Sequence, residues 1–161
     1  MKEIKLVIDD KEVQLTNEQL KILGIEVRKN PFDRTNSLCK EYFYVDPFGD
    51  ISHSSEEYSD AWKDLRRSAN YFNEEAFANR VALRQLLDRK LLKYAYDNGC
   101  EGTEESSHYY VNYCPQAKSY TVQVDVGFRA FCTHFSSYEA TERAIKEVVE
   151  PFVKEHPEFT W

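Results

Sequence analysis

Two stretches of this sequence share one pattern of residues. Residues 70–82 read NYFNEEAFANRVA, and residues 133–145 read THFSSYEATERAI. When the two are aligned, Phe72 falls on Phe135, and each aromatic precedes a polar residue that can cap a helix and an Ala-containing helical start. The pattern favours a chain built from two similar units, although similar topology without duplication would give the same pattern.

Strand patterns precede both stretches. The sequences EYFYV at residues 41–45 and HYYVNYC at residues 108–114 are rich in aromatic and β-branched residues. Apolar and polar residues alternate over residues 120–126, and residues 128–134 are expected to add a third strand. The predicted fold is α+β, with two β-β-(β)-α units whose antiparallel strands pack on long helices.

Helix signals follow each set of strands. Asn73 is predicted to cap the longer helix, which Asn98 and Gly99 should end. The apolar stripe of this helix is wide, which indicates burial from more than one side. Ser136 is predicted to cap the last helix, and Glu139 stands where it would complete a capping box.

The chain begins with a smaller β-β-α element. A hairpin is predicted from residues 4–8 and 12–15, followed by a helix with a Thr16–Gln19 capping box that ends at Gly24. Pro31 and Phe32, in the polar loop that follows, are expected to dock on the next unit. The predicted division is residues 1–30, residues 31–99 and residues 100–161, the last two forming one compact domain.

Charge and composition exclude several classes of protein. The net charge is −7, whereas a dedicated nucleic-acid binder normally carries a basic face, so direct nucleic-acid binding is not expected. No apolar run approaches the roughly 20 residues needed to span a bilayer, and no signal-peptide pattern opens the chain. The expected location is the cytoplasm, no membrane partner is expected, and the oligomeric state stays open.

Motifs for catalysis or cofactor binding are sparse. The four cysteines and four histidines show no zinc spacing, and no phosphate-binding glycine loop occurs, so neither a metal nor a cofactor is expected. Cys132 and His134 lie two residues apart in the predicted third strand and would share one face, as a nucleophile and its base could. We interpret Cys132 as a packed core thiol and expect no enzymatic activity.

An acidic region precedes the longer helix. Residues 41–61 contain no Lys or Arg, and the chain is rich in tyrosine. Such a surface can imitate nucleic acid and occupy a basic channel of a partner, although an ordinary solvated surface has the same composition. The candidate partner-binding residues are Asp46, Asp50, Glu56, Glu57, Tyr58 and Asp60.

An alternative site uses the longer helix. Basic residues along it could contact phosphates, or they could form a solvated helix face. The candidates for this nucleic-acid face are Arg80, Arg84, Arg89 and Lys93.

Several blocks of the chain resemble a family of small, uncharacterised accessory proteins of Firmicute phages and prophages. The opening IKLVIDDKEVQLTNEQLKILGI carries the hairpin and T-x-E-Q pattern seen there, and the other similar blocks are NPFDR, EYFYVDPFGDI, ANYFNEEAFANRVALRQLLDRKLLKYAYDNGC and FSSYEATERAIKEVVEPFVKEHPEFTW. Gly49 fits the turn glycine of that family. The resemblance carries no catalytic motif.

The resemblance implies a phage-encoded protein that acts inside the bacterial host cell. Small acidic phage proteins of this kind are often inhibitors of host defence, including anti-CRISPR proteins. The expected function is therefore a non-enzymatic interaction protein that inhibits a host factor, most concretely a CRISPR nuclease, through the acidic, Tyr-bearing surface. The alternative is a nucleic-acid-associated accessory protein that uses the basic residues of the longer helix.

Overall fold

The computed structural model describes six segments of the chain: residues 5–8, 11–24, 30–34, 40–102, 108–125 and 132–160. Within these segments the strands form three sheets, each a pair of antiparallel strands, and helices follow each pair in the sequence. The α+β prediction is confirmed. No helix among the described residues is both long and apolar enough to cross a membrane.

The first element is the predicted hairpin and helix. Strand β1 (Lys5–Ile8) pairs with β2 (Lys11–Gln14), and helix α1 (Asn17–Ile22) follows. The capping box is present, because the Thr16 amide donates to Gln19 Oε1 at 2.9 Å and the Gln19 amide donates to Thr16 Oγ1 at 3.3 Å. Gly24 follows with a φ of 70°, as expected at the end of a helix.

The first long unit contains a hairpin and two helices. Strand β3 (Glu41–Val45) pairs with β4 (Ile51–Ser55). Helix α2 (Ala61–Arg67) follows, and helix α3 (Glu75–Asp97) is the longest of the described helices. Gly99, at a φ of 56°, follows the end of α3.

The second long unit repeats this order. Strand β5 (His108–Cys114) pairs with β6 (Ser119–Asp125). Helix α4 (Tyr138–Ala144) continues through a π-helical turn (Ile145–Val149) into α5 (Glu150–Glu155). Pro151 lies within this continuous helix, two residues after the π-helical turn, and the helix runs on to Glu155.

Both predicted caps of the long helices are wrong by one residue. Ser137, not Ser136, accepts the Ala140 amide at 3.1 Å, and Glu74, not Asn73, precedes α3. The Asn73 side chain instead donates to the carbonyls of Asn30 and Asp33, both at 3.1 Å. Asn73 therefore holds the preceding loop against the start of α3.

The predicted third strand of the second unit is only partly within the described residues. Residues 128–131 lie outside them, and residues 132–134 are not strand. Phe135 alone forms bridges, one with Tyr109 and one with Glu101. Among the described residues at this place, a single bridged residue, Phe135, therefore stands where the sequence predicted the end of a strand.

Helix α3 supplies side chains to two apolar clusters. Its first turns place Ala78 and Ala82 against Val45 and Phe72 of the first unit. The remainder places further residues in the larger cluster, which also holds Phe135 and the buried side of the last helices; these are Leu83, Leu87, Leu91 and Ala95. The expectation that α3 is buried from more than one side is confirmed.

Candidate functional site

The six predicted partner-binding residues do not form one patch. Asp46 and Asp50 lie in the turn that joins β3 to β4, whereas residues 56–60 follow the far end of β4. The five residues of β4 separate the two groups by about 16 Å at the usual rise of a strand. Any partner that contacts both groups must span the length of the hairpin.

Asp46 organises the turn at the hairpin tip. Its Oδ1 accepts the amides of Phe48, Gly49 and Asp50 at 2.8, 2.9 and 3.0 Å. A carboxylate with three such donors is held in place by the backbone. The candidate residue Asp46 therefore shapes the turn, and Asp50 is the exposed acidic residue of this tip.

Phe48 is the residue of this tip that the sequence-based candidates omit. Its side chain is 89% exposed, more than the other exposed large hydrophobic residues described. Gly49, at a φ of 96°, follows it, and a Cβ at that position would lie 2.6 Å from Nη2 of Arg89. The signal in the sequence is the PFG turn itself, because a turn directs its central side chains outward.

Glu56 does not belong to the exposed surface. Its carboxylate is 2% exposed and forms a salt bridge with Arg34, whose Nε donates to both carboxylate oxygens at 2.9 and 2.7 Å. The Tyr71 hydroxyl donates to Oε1 at 2.9 Å. The placement of Glu56 among the partner-contacting residues is corrected, because its charge is already neutralised within the fold.

These contacts also change the acidity of Glu56. The hydrogen bond from Arg34 lowers the pKa of the carboxyl, and burial opposes that effect without reversing it. The Arg34 guanidinium lies 4.7 Å from the ring centroid of Trp62, which favours a cation over the aromatic face. Arg34 thus links the loop before β3 to the segment that follows β4 and to α2.

The other residues after β4 are accessible. Glu57, Tyr58 and Asp60 are exposed, and the Tyr58 side chain is 84% exposed. Asp60 forms an ion pair with Lys63 at 2.8 Å, one helical turn away. This end of the hairpin therefore presents one aromatic ring, but part of its negative charge has a neighbouring cation.

The four basic residues proposed as a nucleic-acid face lie on different sides of α3. At 3.6 residues per turn, Arg80 and Arg84 point roughly 140–180° away from Arg89 and Lys93. Arg84 lies 3.5 Å from Asp88, and Lys93 forms a salt bridge with Asp97. The prediction of one shared face is corrected, because helical geometry separates the residues and two of them have acidic partners.

Cys132 and His134 are brought together as the sequence suggested, but outside a strand. Sγ of Cys132 lies 3.2 Å from Nε2 of His134, and the His134 ring lies 5.1 Å from that of His108. Cys132 is partly exposed, whereas both histidines are buried. The interpretation of Cys132 as a packed core thiol is corrected by this exposure.

Cys132 also borders a shallow groove of about 240 Å³. The remaining wall comes from Thr133 and from one side of α3, which contributes Asp88, Arg89 and Leu92. Burial raises the pKa of Asp88, and its ion pair with Arg84 opposes that effect. The groove therefore combines a thiol, an imidazole beside it, a guanidinium and an apolar side chain.

No group of three or more His, Cys, Asp or Glu within the described segments is placed to hold a metal ion. Comparison of the chain with protein-family models, with curated proteins and with solved structures found no match. The functional proposal therefore depends on the chemistry of these residues.

Proposed function

We propose that this protein is a non-enzymatic binding protein that inhibits a host factor, and that the tip of the β3–β4 hairpin is its main contact. The observation that supports this most directly is the exposure of Phe48 on a turn fixed by Asp46. Aromatic residues that enter a pocket of the partner contribute much of the binding energy in protein interfaces.

The turn geometry suits Phe48 for this role. Three backbone amides are bound to Asp46, so the turn loses little conformational freedom when a partner binds. A solvent-exposed Phe ring has no stabilising role in the fold, yet it carries a large apolar surface. Phe48 is therefore an anchor that is already in position before binding.

Charge defines the kind of partner. The chain has a net charge of −7, and the exposed Asp50 lies two residues from Phe48. Opposite charge around a contact speeds association and selects the partner. The proposed partner is a protein with an apolar pocket that basic residues surround, a chemistry found where proteins bind nucleic acid.

An anti-defence role is the most concrete form of this proposal. The basic channel of a CRISPR nuclease has the required charge, and the resemblance to phage accessory proteins supports a bacterial host cell as the setting. Tyr58, with Glu57 and Asp60, is proposed as a second contact for a partner long enough to reach it. The separated basic residues of α3 give no comparable support to the nucleic-acid alternative.

The test is a plating assay in bacterial strains that each carry one defence system and express this protein. The wild-type protein should raise the plating efficiency of a targeted phage in at least one strain. Phe48→Ser should lose most of that effect, because it removes the anchor and leaves the Asp46 turn unchanged. Tyr138→Ser is the matched control, since Tyr138 is also exposed but lies at the start of α4.

Two results would count against the proposal. One is full protection by Phe48→Ser, which would exclude the hairpin tip as the contact. The other is the absence of protection in every strain, including a strain with a CRISPR nuclease, by a wild-type protein shown by circular dichroism to be folded. A loss of protection in the Tyr138→Ser control alone would place the contact at α4 instead.

A further inference from the structure

We propose that Cys132 is a site of reversible S-thiolation, at which the cysteine exchanges with a small disulfide that carries carboxylate groups. The proposal concerns the groove beside α3 and not the inhibitory contact proposed above. Arg89 lines this groove and also lies beside Gly49 of the hairpin tip, so the rate at Cys132, and not protection from a phage, is the readout that separates the two proposals. Glutathione disulfide represents the class of co-reactant.

The first observation is the contact between the thiol and an imidazole. Sγ of Cys132 and Nε2 of His134 are 3.2 Å apart, a distance at which a proton can pass from sulfur to nitrogen. An imidazolium beside a cysteine stabilises the thiolate, which is the reactive form of the residue. His134 thus supplies the group that a reactive cysteine requires.

The second observation is the fixed position of His134. Its ring is buried, lies 5.1 Å from the ring of His108 and is approached edge-on by the Tyr110 ring at 6.2 Å. A Cβ on Gly102 would lie 2.8 Å from Cβ of His134, so only glycine leaves room for this packing. The neighbours on β5 and the Gly102 backbone therefore hold the imidazole toward Cys132.

The third observation is an accessible groove with charge that suits the co-reactant. Arg89 lines the groove with Cys132, and a guanidinium can bind a carboxylate through two hydrogen bonds. Leu92 adds apolar surface for a carbon chain. The groove, at about 240 Å³, is smaller than the roughly 300–1,000 Å³ of sites for drug-sized ligands, so it accommodates one end of a small molecule.

The charged and titratable groups around the thiol come from three parts of the fold. His134 is in the same segment as Cys132, two residues later. His108 and Tyr110 are on β5, and Asp88 and Arg89 are on α3. Asp88, the anion on the groove wall, lies 3.5 Å from Arg84, which offsets its repulsion of a thiolate. The Arg89 guanidinium favours a thiolate in the groove, and so does the His134 imidazole once it has taken the thiol proton.

The exchange step conserves atoms and electrons. The proton of the Cys132 thiol passes to Nε2 of His134, and the thiolate attacks one sulfur of the disulfide. The disulfide bond breaks as a bond forms between that sulfur and Sγ, and the other half leaves as a thiolate that takes the proton from His134. Cys132 is oxidised, the leaving half is reduced, and a second thiol reverses the reaction.

The experiment measures the rate at which each cysteine of the folded protein is modified, with peptide mapping by mass spectrometry. Cys114 is the internal control, because it is also partly exposed but has Gln116 Oε1 as its neighbour at 3.5 Å. With glutathione disulfide, Cys132 should react at least about tenfold faster than Cys114, because the neighbouring His134 imidazole can take the proton of the Cys132 thiol.

Two variants separate the roles of the neighbours. His134→Gln should lower the rate at Cys132 to about that of Cys114, because the amide cannot accept the thiol proton. Arg89→Gln should lower the rate with glutathione disulfide but not with the neutral 2-hydroxyethyl disulfide, because only the former carries carboxylates. Arg89 is exposed, so this second variant tests the groove even if His134→Gln does not fold.

Equal rates at Cys132 and Cys114 in the wild-type protein would overturn the proposal, as would modification of Cys132 only after denaturation. An unchanged ratio between the two disulfides in Arg89→Gln would remove the carboxylate specificity. A folded His134→Gln variant with the wild-type rate would remove the imidazole from the mechanism.

Discussion

Phe43 and Phe72 exchange two backbone hydrogen bonds, with N–O distances of 2.8 and 2.9 Å. Tyr109 and Phe135 form the same exchange in the second unit, at 3.3 and 2.8 Å. In each unit the bridged aromatic is buried, and the following long helix begins three residues later, at Glu75 and at Tyr138. The alignment of Phe72 with Phe135 in the sequence therefore corresponds to one arrangement used twice.

The strands next to these bridges, β3 and β5, also bury residues at the same spacing. Tyr42 and Val45 are buried in β3, and His108 and Val111 are buried at the same spacing in β5. In each unit, the residue before the bridged aromatic packs on the first buried residue of the strand. The Tyr71 ring stacks on Tyr42 with 4.8 Å between ring centroids, and the His134 ring lies 5.1 Å from that of His108. The stacked pair Tyr42 and Tyr71 of the first unit thus corresponds to the pair His108 and His134 in the second unit. His134 is the imidazole that lies beside Cys132.

The two bridged aromatics, Phe72 and Phe135, should contribute equally to the stability of the protein. Phe72→Ala and Phe135→Ala should each lower the free energy of unfolding by about 3–5 kcal/mol, because each removes a fully buried ring and leaves a cavity. Denaturant unfolding followed by circular dichroism measures the change. Phe48→Ala is the control and should change stability by less than about 0.5 kcal/mol, since its ring is in solvent. A Phe72→Ala protein as stable as the control would show that the bridge, and not the ring, holds this unit.

The Asn70 side chain should stabilise β3 by making the two hydrogen bonds that a neighbouring strand would otherwise make to Val45. Its Oδ1 accepts the Val45 amide at 2.9 Å, and its Nδ2 donates to the Val45 carbonyl at 2.7 Å. Asn70→Ala and Asn70→Asp should each cost about 2 kcal/mol, because both leave a partly buried backbone group of Val45 without its partner.

Hydrogen exchange distinguishes the two Asn70 variants. Asn70→Asp keeps an oxygen that can accept the Val45 amide, so exchange of that amide should be slower than in Asn70→Ala. Equal exchange of the Val45 amide in the wild-type protein and in Asn70→Ala would mean that the side chain contributes nothing to the strand.

Glu56 should make stability depend on pH. Because its pKa is lower in the folded chain than the ordinary value of 4.5, its contribution is complete above that pH and is lost as the pH falls through the folded value. Glu56→Gln should cost about 2 kcal/mol at pH 7, because it weakens a charge-assisted pair with Arg34. The difference from the wild type should shrink as the pH falls below 4.5.

Glu57→Gln provides the control for this measurement, because Glu57 is the exposed neighbour of Glu56. Its stability should follow that of the wild-type protein at every pH. A Glu56→Gln protein whose difference from the wild type is constant between pH 7 and pH 3 would contradict the buried ion pair.

Local signals in the sequence predicted the elements well. The Thr16–Gln19 capping box, the strands around residues 41–45 and 108–114, and the end of α3 before Gly99 all depend on residues close in sequence, and the structure confirms them. The docking of Phe32 is also confirmed, since its ring lies 5.4 Å from Phe72 and 5.2 Å from Phe77.

The candidate sites were harder to predict because they depend on distant partners. Glu56 lies in the polar run SSEE, which is typical of an exposed loop, and its cation Arg34 is 22 residues earlier. The spread of the basic residues around α3 follows from helical periodicity and could have been recognised. The groove beside Cys132 could not, because it forms only when α3 packs near a segment some 40 residues later in the chain.

The contacts of residues 30–34 also determine where the chain can be divided. Asn73 holds the carbonyls of Asn30 and Asp33, Phe32 packs on Phe72, and Arg34 neutralises Glu56. A fragment that begins at residue 40 would keep every strand and helix of both long units, yet it would expose Phe72 and leave a buried carboxylate without its cation. A fragment that begins at residue 30 would keep all of these contacts, so the turn at residues 30–34, which is neither strand nor helix, belongs with the two long units.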